Sequence, residues 1–125
     1  MHVERHQVSV TTAADGSATV YTDRGVTGRV LGIRYVKPAT GGFDNGSTMT
    51  VTVEDTGEAV WVQTGVNASA SVYPRPPVQD EAGVDALIDA TRKQRSPVHV
   101  AGSRLKLVVA SGGNVKTATI HYIIG

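Results

Sequence analysis

Hydrophobic and polar positions alternate strictly between residues 48 and 54 of this chain. Three hydrophobic residues, Met49, Val51 and Val53, fall on one face of that segment. The other face carries threonine and glutamate, and a period of two is typical of a β-strand with one buried side. A polar turn at residues 55–58 leads into a similar segment at 59–64, which predicts a β-hairpin.

The same pattern predicts further strands along the chain. They cover residues 8–10, 18–22, 26–37, 98–101, 105–109 and 115–124. We expect the first two of these segments, and the last two, to pair as hairpins across glycine-containing turns. Valine and threonine are abundant, and 14 glycines and 5 prolines supply turns. The sequence therefore predicts an all-β fold, an antiparallel β-sandwich or jelly roll of about eight short strands.

Three segments depart from this pattern. Residues 73–77 hold three prolines, which lack the N–H that a ladder needs, so they are expected to run over the surface. Apolar residues at helical spacing and Asp80 as a cap then predict one short helix over residues 80–93. Residues 1–6 are interpreted as a flexible arm on a single domain, residues 1–125.

Composition excludes several classes of protein. Lys plus Arg is 12 and Asp plus Glu is 11, a net charge of +1, which argues against a dedicated nucleic-acid-binding protein. The absence of cysteine excludes disulfide scaffolds and thiolate sites. No apolar run approaches the roughly 18 residues of a membrane span, and no signal segment is recognisable. We therefore expect a soluble protein without a membrane partner.

One group of residues has the composition of a metal site. On a strand, His2, Glu4 and His6 would share a face. Their terminal position argues against it, because metal ligands need positioned support, and no metal site is predicted. His99 and His121 are interpreted as polar strand residues. Since nucleophile and phosphate-loop motifs are also missing, we predict that the chain is not an enzyme and has no cofactor.

Two stretches of sequence point to a family. Residues 58–70 have the sequence EAVWVQTGVNASA and are followed by Tyr73-Pro74-Arg75, while residues 104–117 have the sequence RLKLVVASGGNVKT. Together they resemble small virion proteins encoded among the head genes of tailed bacteriophages. The resemblance covers most of the chain and departs from the family in residues 79–95, which are richer in alanine and glycine in relatives.

This resemblance implies a capsid accessory role. Such a protein cements or decorates the outside of an icosahedral shell by bridging neighbouring subunits of the major capsid protein. The expected location is the virion surface, after synthesis in the host cytoplasm, and a homodimer is expected from the frequency of two-fold symmetry. Two alternatives stay open. One is a head–tail completion, tail-tube or fibre-base component, and the other is a carbohydrate- or ligand-binding β module.

Terminal arms, loops and aromatic residues are the places where such a protein is expected to contact its partner. For Trp61, packing in the core is an equally good interpretation. The predicted partner-binding residues are His2, Val3, Arg5, Pro38, Phe43, Trp61, Tyr73 and Arg75.

Overall fold

A computed structural model describes residues 3–65 and 68–125 of the chain. Those ranges contain nine β-strands: β1 (Glu4–Thr11), β2 (Ala18–Tyr21), β3 (Val26–Val36), β4 (Thr48–Val53), β5 (Ala59–Thr64), β6 (Ala70–Val72), β7 (Val98–Ser103), β8 (Leu105–Ala110) and β9 (Thr117–Ile124). Within the described ranges, no helix is long and apolar enough to cross a membrane.

The strands form two antiparallel sheets. The five-stranded sheet has the order β1-β9-β3-β6, and β7 also pairs with β3. The four-stranded sheet has the order β2-β8-β4-β5. Buried side chains from both sheets form one hydrophobic cluster, so the sheets pack face to face as a β-sandwich. The predicted all-β antiparallel fold is confirmed.

Alternating burial explains why these segments are strands. In β4 the hydrophobic residues Met49, Val51 and Val53 are buried, and the threonines between them are half-buried. β8 and β9 repeat this pattern with leucine, valine, isoleucine and tyrosine facing inward. Burying each large apolar side chain stabilises the fold by about 1.5–3 kcal/mol. The predicted hairpin of β4 and β5 is also present, with a register shift beside Val51.

The other two predicted hairpins are absent. β1 pairs with β9 and β2 pairs with β8, so the chain changes sheet at both turns. The pattern of hydrophobic residues was predicted correctly, because burial of one face is a local property. Which sheet a strand joins depends instead on partners that lie about a hundred residues away.

The arm predicted at residues 1–6 is corrected in part. Glu4, Arg5 and His6 belong to β1 and pair with the last residues of β9. They are ordered by this ladder, because β9 offers them an open edge on the side away from β3. Val3 precedes the strand and is exposed, and His2 lies outside the described residues.

The helix predicted over residues 80–93 is wrong. Residues 76–96 instead form three short segments that close into a triangle, which we name the cloverleaf. The N–H of Val78 donates to the carbonyl of Gln94 (2.8 Å), that of Gln94 to Ala86 (3.0 Å), and that of Ala86 to Val78 (2.7 Å). These three residues are spaced eight apart, and each segment therefore pairs with both others.

Aspartate side chains explain why this segment is not helical. Asp80 Oδ1 accepts hydrogen bonds from the backbone N–H groups of Ala82 (2.9 Å) and Val84 (3.0 Å). Asp89 Oδ1 accepts in the same way from the N–H groups two and three residues ahead, both at 2.9 Å. Such bonds compete with helical ones and favour turns. Gly83 has a φ of 81°, which a helix does not contain.

Phe43 lies in the core, although it was predicted to bind a partner. Its ring stacks on that of Tyr35, with centroids 5.8 Å apart, and its side chain is only 3% exposed. The loop between β3 and β4 thus contributes a side chain to the core.

We expect the substitution Phe43→Ala to lower the free energy of unfolding by about 3–5 kcal/mol, because it leaves a cavity beside Tyr35. Urea denaturation measures this change. Val62→Ala, at a side chain that is 57% exposed, is the control and should change stability by less than about 0.5 kcal/mol. Equal stability of the two variants would contradict a core role for Phe43.

An ion pair links the end of β4 to the start of β8 within the four-stranded sheet. Arg104 Nε donates to Glu54 Oε2 (2.7 Å), and its Nη2 donates to Oε1 (2.6 Å). The same guanidinium lies 4.3 Å from the centroid of the Tyr21 ring. These hydrogen bonds hold the pKa of Glu54 below its usual value of 4.5.

We expect Glu54→Gln to lower the melting temperature at pH 7 and to matter less in acid. A carboxylate with a lowered pKa stabilises the fold above its unfolded pKa, and this stabilisation is lost as the pH falls through the folded value. The difference in melting temperature from wild type should therefore shrink below about pH 4.5. Glu58→Gln, at an exposed residue, is the control; a difference that is constant with pH would contradict the ionic role.

Candidate functional site

Three large apolar side chains are exposed on the cloverleaf. Val84 is 61% exposed, Leu87 54% and Ile88 62%. Their helical spacing suggested a buried helix face, but the turns at Asp80 and Asp89 point this part of the chain away from the core. Three exposed large apolar side chains within five residues make this segment a candidate interaction site.

The cloverleaf is braced against the edge of the five-stranded sheet. It connects β6 to β7, which pair with two successive parts of β3. Arg75 Nη1 donates to the carbonyl of Leu31 in β3 (3.2 Å), and Arg95 Nη1 donates to the carbonyl of Arg75 (3.1 Å). Leu31 lies at a register shift in the pairing of β3 with β9. The cloverleaf is therefore held by two arginines at its base.

Ion pairs order the outer part of the cloverleaf. Lys93 Nζ lies 2.8 Å from Asp85 Oδ2, and Arg92 Nη2 lies 2.6 Å from Asp89 Oδ2. Hydrogen bonds lower the pKa of Asp89 to about 2, and the one from the backbone N–H of Thr91 has the largest effect. Exposed ion pairs contribute little stability; here one lies within the turn at Asp89 and the other links two of the three segments.

A second candidate surface lies on the outer face of the five-stranded sheet. Residues from β1, β3 and β9, together with β6 and the residue after it, surround a cavity of about 300 Å³ that we name the basic pocket. Its lining includes Arg5, Gly32, Arg34, Ser71, Tyr73 and His121.

Strand register brings these side chains together. Arg34 in β3 is opposite His121 in β9, and Ser71 in β6 is opposite Arg34 on its other side. Arg34 Nη1 donates to Ser71 Oγ at 3.1 Å. A Cβ at Gly32 would lie 3.2 Å from Tyr73 Cδ1, so glycine lets the tyrosine ring lie against the strand.

The structure brings together two of the residues predicted to bind a partner, since Arg5 and Tyr73 both line the basic pocket. Arg75 lies at the adjacent base of the cloverleaf, where it bonds to β3. The sequence did not indicate Arg34, His121 or Ser71. Their outward positions follow from alternation along each strand, but their proximity depends on the strand order.

The remaining predicted residues lie apart from this surface. Val3 is exposed at the start of β1, and Pro38 borders a hollow beside β1 and β9. Trp61 is partly buried against the core on the edge strand β5, and Phe43 is a core residue. His2 lies outside the described residues, which therefore contain only Glu4 and His6 of the group His2, Glu4 and His6.

In the part of the chain that the structure describes, no three His, Asp or Glu residues are grouped so that they could hold a metal ion. His6 Nε2 lies 3.2 Å from Glu4 Oε2 as a pair on β1.

No protein-family model and no curated protein matches the chain. Among solved structures, the chain is similar to the crystal structure of FLHE, with 10% sequence identity and a TM-score of 0.48. The alignment covers 99% of this chain and 98% of that one. A likeness of this extent does not bear on function.

Proposed function

We propose that this chain is a non-catalytic virion structural protein that decorates the outside of an icosahedral phage capsid. In this role it bridges neighbouring subunits of the major capsid protein. The sequence resemblance of residues 58–75 and 104–117 supports the proposal, and the cloverleaf is the observation that carries it. A head–tail or tail component is the alternative that differs in copy number.

The cloverleaf has the properties that a docking element needs. It exposes Val84, Leu87 and Ile88, which gain free energy when a partner removes them from water. Three backbone hydrogen bonds and two basal arginines already order it. Ordering before binding reduces the entropy that association costs. When one molecule contacts several capsid subunits at once, its overall affinity for the shell exceeds the affinity of each single contact.

A homodimer of this protein would carry two cloverleafs, and therefore two docking elements, in place of one. The edge strand β5 supports this part of the proposal, since it ends the four-stranded sheet and exposes Val62. Edge strands offer backbone groups that a second copy can pair with. Light scattering in solution measures the mass and separates monomer from dimer.

The decisive experiment changes the apolar side chains of the cloverleaf. We expect the triple variant Val84→Ser, Leu87→Ser, Ile88→Ser to reduce occupancy of purified capsids by about tenfold or more. Its melting temperature should stay close to wild type, because these side chains are exposed. Quantitative mass spectrometry of capsids with added protein gives the molar ratio to the major capsid protein.

The matched control replaces an equally exposed apolar residue elsewhere, as Val115→Ser. It should occupy the shell as well as wild type. Wild-type ratios of about one-half to one support decoration, since sites then repeat with each subunit or pair of subunits. A few copies per particle, or equal occupancy by the triple variant and the Val115 variant, would contradict the proposal.

A further inference from the structure

The outer face of the five-stranded sheet has an uneven distribution of charge. Arg5 and Arg34 lie on it beside His121, and the only carboxylate within the five strands is that of Glu4. Glu4 is paired with His6, at 3.2 Å. The basic pocket is therefore positive without an acidic side chain among its lining residues, and it favours an anion.

The two arginines approach the pocket from opposite sides. They lie on β1 and β3, which flank β9, so their backbones are roughly 10 Å apart across the sheet. Arg34 donates to Ser71 Oγ, and Arg5 has no side-chain hydrogen bond or ion pair with any described residue. Guanidinium groups donate in a planar fork that suits carboxylate and phosphate oxygens.

The floor of the pocket adds a polar atom that needs a partner. His121 Nδ1 is buried and has no hydrogen bond to any described residue. Buried polar atoms in proteins are nearly always hydrogen-bonded, so each exception calls for an explanation. This atom is shielded from solvent, so a ligand in the pocket could reach it only after a movement of the imidazole ring.

An aromatic ring forms one wall. Tyr73 is 69% exposed, and one side of its ring is supported by Gly32. The exposed side offers a flat apolar surface against which the C–H face of a sugar ring can pack, while its hydroxyls bond to polar neighbours. The volume of about 300 Å³ is at the small end for ligand sites and suits one sugar unit.

We propose that the basic pocket binds a monosaccharide unit that carries a carboxylate or a phosphate. Arg5 and Arg34 bind the oxyanion, and the sugar ring packs against Tyr73. The unit is either a free sugar or the end of an acidic glycan, which presents the same chemistry. This site is separate from the exposed apolar residues of the cloverleaf, so its failure would leave the proposed docking role intact.

Isothermal titration calorimetry tests the proposal with the full chain and four probes: glucuronate, glucose 6-phosphate, glucose and inorganic phosphate. We expect both acidic sugars to bind at least tenfold more tightly than glucose and than inorganic phosphate. Binding of a glucuronate-terminated oligosaccharide would assign the ligand to glycan ends, and its exclusion would assign it to free sugars. Failure of both acidic sugars to bind, or equal binding of glucose, would overturn the proposal.

Variants locate the binding within the pocket. Arg5→Gln and Arg34→Gln should each weaken the binding of glucuronate about tenfold, because each removes one of the two guanidinium groups. Tyr73→Ala should weaken glucuronate binding but not the weak binding of inorganic phosphate. The matched control is Arg24→Gln, at an exposed arginine outside the pocket. An equal loss in the Arg24 variant would show nonspecific attraction and contradict the site.

Discussion

The whole structure depends on two crossings between the sheets, at residues 12–17 and 111–116, that pack against each other. The N–H of Gly112 donates to the carbonyl of Gly16 (2.8 Å), and Thr12 Oγ1 donates to the carbonyl of Gly113 (2.7 Å). A Cβ at Gly16 would lie 2.9 Å from the Gly113 nitrogen, closer than real Cβ atoms approach. Because of these crossings, β1 pairs with β9 in the five-stranded sheet and β2 pairs with β8 in the four-stranded sheet. Both sheets therefore contain strands from the two ends of the chain.

Strand β3 contributes residues to both candidate surfaces. One side of β3 pairs with β9, and the other pairs with β7 and then β6. At the register shift, the carbonyl of Leu31 accepts from Arg75 and fixes the base of the cloverleaf. The next residue, Gly32, has no side chain, which lets the Tyr73 ring lie against β3, and Arg34 lines the basic pocket. The two surfaces are therefore neighbours because one strand builds them.

Sequence predicted what depends on local burial and missed what depends on distant partners. Alternation identified β4, β5 and the inward faces of β8 and β9, because a period of two follows from burying one side of a strand. It could not show that β1 and β2 join different sheets. The spacing of Val84, Leu87 and Ile88 matched a helix, but Asp80 and Asp89 bond to the backbone and form turns instead. Arg5 and Tyr73 were identified as candidates, whereas Arg34 and His121 needed the strand order.

The cloverleaf also determines what kind of contact this side of the sheet can make. β6 and β7 end the five-stranded sheet, and an exposed edge of this kind invites open-ended pairing with other chains. Between them the chain leaves the ladder, and its backbone groups bond within the triangle of Val78, Ala86 and Gln94. This part of the chain therefore presents side chains, and not free backbone donors and acceptors, to its surroundings. Docking through side chains is limited by the shape of the partner, so it does not propagate from copy to copy, which is what the proposed attachment to a shell requires.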